Sequence, residues 1–155
     1  MVETGTTEIF ITFLLAITGY VGLTIVVVLT LREQHPIALW RVVALIILTH
    51  VLMVWIYRYD WQFDLAVRNG YVGFVIFHTA LILILLSTFT NKNLSQKLIH
   101  LSFVVATMGA TGASLRYDEV SIYRFIVIPC GLIGGIGLLK FYILDRKKRK
   151  ANLFS

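Results

Sequence analysis

YVGFVIFHTALILILLSTF, residues 71–89, decides the fold. It carries no Asp, Glu, Lys or Arg, and its one histidine, His78, sits among aliphatic and aromatic neighbours. Nineteen residues rising about 1.5 Å each span close to the ~30 Å of a bilayer's hydrocarbon layer. Four further runs read the same way, so the chain has about five spans: 9–31, 37–57, 71–89, 98–115 and 123–144. The expected fold is an all-α polytopic transmembrane helix bundle, a single domain over 1–155. The second to fifth spans are expected to form a four-helix core, with a basic tail over 145–155.

The composition agrees. Of the 155 residues, 58% are hydrophobic and 14% charged, and the mean hydropathy is +0.84. A soluble domain of this size needs far more polar surface. The first span is too long, and its front too acidic (Glu3, Glu8), for a cleaved signal peptide. The net charge of +6 owes much to Arg146-Lys147-Lys148-Arg149-Lys150 directly after the last span. A cluster there reads as an anchor at anionic lipid, not as a nucleic-acid site. Arg32, Arg41, Lys92 and Lys97 lie at the same end as that tail. Arg58, Arg68, Arg116 and Arg124, at the other end, are balanced by Asp60, Asp64, Asp118 and Glu119. The positive-inside rule then puts the N-terminus outside and the C-terminus in the cytoplasm. Tyr57, Tyr59, Trp61, Phe63, Tyr71, Tyr117 and Tyr123 form an aromatic belt at the outer boundary. The expected location is the prokaryotic cytoplasmic (inner) membrane.

Ionisable residues inside a span are costly and mark candidate functional sites. His50 lies seven positions before Tyr57, and His78 seven after Tyr71. Both are therefore expected about 10 Å inside the outer boundary. The second and third spans are expected to be antiparallel neighbours. His35 and His100 open the second and fourth spans at the inner side. His35 and His50 are about 22 Å apart along one helix and offset by about 60°. Two stacked bis-histidine haem b sites fit this pattern: His50 with His78 outside, His35 with His100 inside. Arg58 and Arg116, which follow spans, are candidates for holding haem propionates or a quinone head group. The plainer alternative is that each histidine hydrogen-bonds a neighbouring helix, with Thr49, Thr79, Thr107, Thr111 and Ser114 as candidate partners. No thiolate or carboxylate within the spans supports another metal.

Other signals concern packing. Ala106, Gly109, Ala110, Gly112 and Ala113 in the fourth span, and Gly131, Gly134, Gly135 and Gly137 in the fifth, permit close helix contact or leave room for a flat ring. Pro129 is expected to kink the fifth span or end its first turn. Cys130 has no partner for a disulfide and reads as a small packing residue. The first span, rich in Val, Ile and Leu, is expected at the periphery.

No Cys-x-x-Cys-His, phosphate loop, Gly-x-Ser-x-Gly or HExxH pattern is present, and no acid–base or nucleophile constellation is visible. Independent catalysis is therefore not expected. From His35 to Tyr117 the order is "WIYR" ending a span, then "FHTALILILL", then "IHLSFVVATMGATGASLRY". This resembles the small polytopic membrane proteins of an uncharacterised-domain family tied to cytochrome aa-type oxidase assembly. His35, His78, His100, Thr111-Gly112 and Tyr117 carry the resemblance, over about half the chain. It departs where His100 is followed by Leu101 and Ser102 rather than basic residues, and in lacking a tryptophan-rich stretch. The four-helix, two-haem cytochromes b are similar in architecture only. The leading expectation is a haem-b-binding membrane protein for electron transfer or respiratory oxidase assembly. Two alternatives stand beside it. One is a cofactor-free accessory subunit of a larger respiratory or photosynthetic complex. The other is a subunit binding quinone or a chlorophyll-type pigment. Lipid and other membrane subunits are the expected partners.

Overall fold

The computed structural model describes residues 6–151, apart from the side chains of Thr6, Glu119 and 145 onward. Glu3, residues 152–155 and the side chains of the basic run 146–150 lie outside it. Helix α1 (Thr6–Leu31) is followed by α2 (Ile37–Met53), which continues as a π turn (Val54–Arg58). After a short helix α3 (Phe63–Val67) come α4 (Tyr71–Phe89), α5 (Lys92–Arg116), a 3-10 segment (Asp118–Tyr123) and α6 (Arg124–Ala151). No strand occurs among the described residues. Five of these helical segments are long and apolar enough to cross a membrane, and the chain is an integral membrane protein.

Local chemistry explains the ends. Gly70, at φ 104°, turns the chain into α4 through a conformation that glycine adopts without strain. The Asn91 side chain accepts the backbone N–H of Leu94 at 3.1 Å and caps α5. That cap moves the start of the fourth span to Lys92, six residues before the expected 98. Lys92 and Lys97 therefore belong to the helix rather than to a loop. Pro129 lies inside α6, in its second turn, and does not end it. At the other end of α5, the Arg124 Nε–H donates to the Ser114 carbonyl at 2.6 Å. A cation thus covers a carbonyl that the helix end leaves open.

The first span is not peripheral. α1 packs against α2, α5 and α6, and Tyr20, Leu23, Thr24, Val26, Val27 and Thr30 are all buried. Lipid is as apolar as leucine, so apolarity alone does not decide which helix lies inside a membrane bundle; small residues and hydroxyls do. α1 carries both. A Cβ at Gly19 would come 2.7 Å from Ile47, and one at Gly22 2.7 Å from Val43, so α2 lies directly against those glycines. The Tyr20 hydroxyl meets Thr107 on α5 at 2.9 Å, and its ring stacks on Phe103 at 6.1 Å. A core formed by the second to fifth spans alone is therefore corrected to one centred on α1. α4 packs chiefly on α5, and α2 chiefly on α1. The second and third spans touch but are not each other's main neighbours.

Candidate functional site: the histidines

Each histidine is held by a different set of helices. His50, on α2, points toward α1, where its Nδ1–H donates to the Thr12 carbonyl at 2.9 Å. A carbonyl can only accept, so the proton is on Nδ1 and Nε2 carries the lone pair. His78, on α4, donates its Nδ1–H to the Phe74 carbonyl one turn back at 2.8 Å. Its Nε2 accepts the Trp55 indole N–H at 3.3 Å. The imidazole stacks on Phe74 at 3.9 Å and meets the edge of Trp55 at 5.9 Å. Trp55 lies in the π turn and also packs against Tyr59, Trp61 and Phe74. His78 is thus part of an aromatic cluster at the belt. Its partner on the α2 side is Trp55, five positions beyond His50, rather than His50 itself.

His100 is 3% exposed and lies nine residues into α5, not at its start. The Thr30 hydroxyl donates to the Val27 carbonyl at 2.7 Å, so its oxygen is free to accept from the His100 Nε2–H at 2.9 Å. His100 Nδ1 is then the lone pair, and it accepts the Tyr142 hydroxyl proton at 3.0 Å. One directed chain of hydrogen bonds therefore runs from α6 through α5 to α1 and ends on a backbone carbonyl. Phe141 and Tyr142 close on the ring edge-on at 5.9 and 5.8 Å. His35, in the α1–α2 turn, lines a cleft in which it is the one histidine. An apolar groove between α1 and α6, about 270 Å³ and bordered by half-buried Cys130, holds none.

Among the described residues, no group of three or more His, Cys, Asp or Glu is placed to share a metal ion. Among the described residues no hydrogen bond joins His50 to His78 or His35 to His100, and the cleft that His35 lines does not include His100. For His78 to ligate haem iron through Nε2, Trp55 would have to release it. For His100, Tyr142 or Thr30 would. Arg116 lies over the Tyr117 ring, 5.6 Å from its centroid. Arg58 closes the π turn. Both sit at the aromatic end.

Histidines do bond neighbouring helices, but none of the five candidate partners, Thr49, Thr79, Thr107, Thr111 or Ser114, is among the residues they bond. Thr49 and Ser114 bond back to their own helices, and Thr107 bonds Tyr20. Thr12, Thr30, Trp55 and Tyr142 are the residues that sequence reasoning missed. Trp55 was the most accessible of these, because an indole N–H inside a span needs an acceptor. Comparison with protein-family models, curated proteins and solved structures returns no match. The likeness drawn from His35, His78, His100, Thr111-Gly112 and Tyr117 therefore rests on those residues alone.

Proposed function

We propose that this protein is an accessory subunit of a larger membrane assembly, acting through its helix surfaces rather than through a resident cofactor. The observation that carries this reading is how the imidazoles are spent. His78 and His100 each use both ring nitrogens on protein groups, and His50 uses one to bind α1. Buried polar chemistry here ties helices together, which is the demand on a scaffold. Three glycines support the same reading. Among the described residues, nothing lies within 4 Å of where a Cβ would be at Gly73, Gly112 and Gly135, so their close-approach surfaces are left over by internal packing. Such surfaces admit a neighbouring transmembrane helix.

The test joins a spectrum to an assembly assay. The detergent-purified chain, expressed with haem supplied, is expected to give a featureless dithionite-reduced minus air-oxidised spectrum. In mild detergent it is expected to migrate as a larger complex, which Gly112→Leu or Gly135→Leu breaks up without unfolding the chain. A haem b spectrum lost in both His50→Ala and His78→Ala would overturn this in favour of the electron-transfer reading. Red or near-infrared absorption would overturn it in favour of a pigment.

A further inference from the structure

A cleft of about 140 Å³ opens where α1 turns into α2 and α4 turns into α5. Most of its polar floor is already committed. The Trp40 indole N–H donates to Ser87 Oγ at 3.1 Å, and the Ser95 hydroxyl donates to the Ser87 carbonyl at 2.7 Å. The Gln96 amide donates to the Thr30 carbonyl at 3.3 Å. These bonds fix the shape of the cleft and link all four surrounding helices.

Four other groups on its wall are not committed. Arg41, Lys92 and His35 have no side-chain hydrogen bond or ion pair among the described residues. The Thr90 hydroxyl oxygen is buried and has no hydrogen-bond partner among the described residues. Among the described residues no Asp or Glu lines the cleft, and Glu33 in the adjoining turn stays outside it. Two cationic side chains from different helices therefore share one concavity with no counter-charge among the described residues lining it. A buried hydroxyl beside them lacks a hydrogen bond, which native structures rarely leave unmade. The twenty-five-residue helix α5 also begins here, adding the positive end of its dipole.

The missing complement is a compact anion with several acceptor oxygens. Guanidinium suits two oxygens of one anion at once, ammonium adds a point charge, and the Thr90 hydroxyl can donate to a third oxygen. A phosphate offers more oxygens and more charge than a carboxylate. We infer that this cleft binds a phosphate group through Arg41, Lys92 and Thr90, carried by either a phospholipid headgroup or a free phosphate compound.

The experiment uses the full chain in detergent, with thermal unfolding and native mass spectrometry as readouts. The probes are phosphatidylglycerol, phosphatidylcholine and inorganic phosphate. The variants are Arg41→Gln/Lys92→Gln, Thr90→Val and a charge-matched control at the other end, Arg68→Gln/Arg116→Gln. A lipid site predicts that phosphatidylglycerol is retained and raises the unfolding temperature more than phosphatidylcholine. The double variant loses that preference and the control keeps it. A site for free phosphate predicts saturable stabilisation by inorganic phosphate, lost in the same double variant. In either case Thr90→Val weakens binding about tenfold, the scale of one hydrogen bond to a charged group. It leaves the ligand-free protein as stable as before, so a folding defect is not mistaken for lost binding. The proposal is overturned if wild type shows neither preference. It is equally overturned if the control loses the response to the same extent as the cleft variant.

Discussion

His100 shows how a costly residue is accommodated inside a membrane bundle. Burying an imidazole is tolerable because both nitrogens are satisfied, one by a hydroxyl that donates and one by a hydroxyl that accepts. His100→Ala removes both cross-helix bonds and leaves the Tyr142 hydroxyl without that acceptor. Single hydrogen bonds inside membranes contribute about 0.6 kcal/mol on average, and the vacated ring space adds to the loss, so a destabilisation of about 1–3 kcal/mol is expected. SDS-titrated unfolding measures it. His100→Gln, which keeps a donor and an acceptor, should recover part of the loss; an alanine variant as stable as wild type would refute the pinning role. The sequence marked this residue as significant, because any histidine within a span is. It did not reveal Thr30 or Tyr142 as partners. They are 70 and 42 positions away and meet His100 only through the rotations of three helices.

At the scale of elements, the glycines of α6 divide into two kinds. A Cβ at Gly134 would collide with the ring of Phe103, itself 1% exposed, whereas one at Gly135 meets open space. Gly134→Ala is therefore expected to push α6 away from α5 and cost about 1–3 kcal/mol, the range of an overpacked core. Gly135→Ala should be neutral or slightly stabilising, because alanine is the better helix former. Comparing the two variants by SDS unfolding separates close packing from helix propensity, and equal effects would sink the distinction. The sequence showed that α6 has a small-residue surface but not which residues turn inward. One residue advances a helix by about 100°, so the division depends on how α6 is rotated against α5. The Asn91 cap, by contrast, was readable: an Asn two residues beyond an apolar run is a helix-start signal. Starting the fourth span on apolarity alone lost the six residues of polar helix, 92–97, that precede residue 98.

For the whole molecule, the consequence of a central α1 can be measured. Leu23 on α1 is 1% exposed, while Leu45 on α2 is 63% exposed. Leu23→Ala should cost on the order of 2 kcal/mol through the cavity it leaves. Leu45→Ala should cost close to nothing, because lipid replaces the lost contacts. If the two cost the same, α1 is not the core. The sequence by itself determined the class of the protein: five long apolar helices, short connections and charged residues gathered at the ends. That much follows from the hydrocarbon thickness and from the need to satisfy every backbone group within a helix. Only the tertiary structure decided which helix lies inside, what each histidine bonds, and that Arg41, Lys92 and Thr90 share one cleft. The physical reason is that hydrophobicity, the strongest signal in this sequence, drives helices into the membrane but does not order them once there. Their order comes from glycines, hydroxyls and indoles whose partners are distant in sequence.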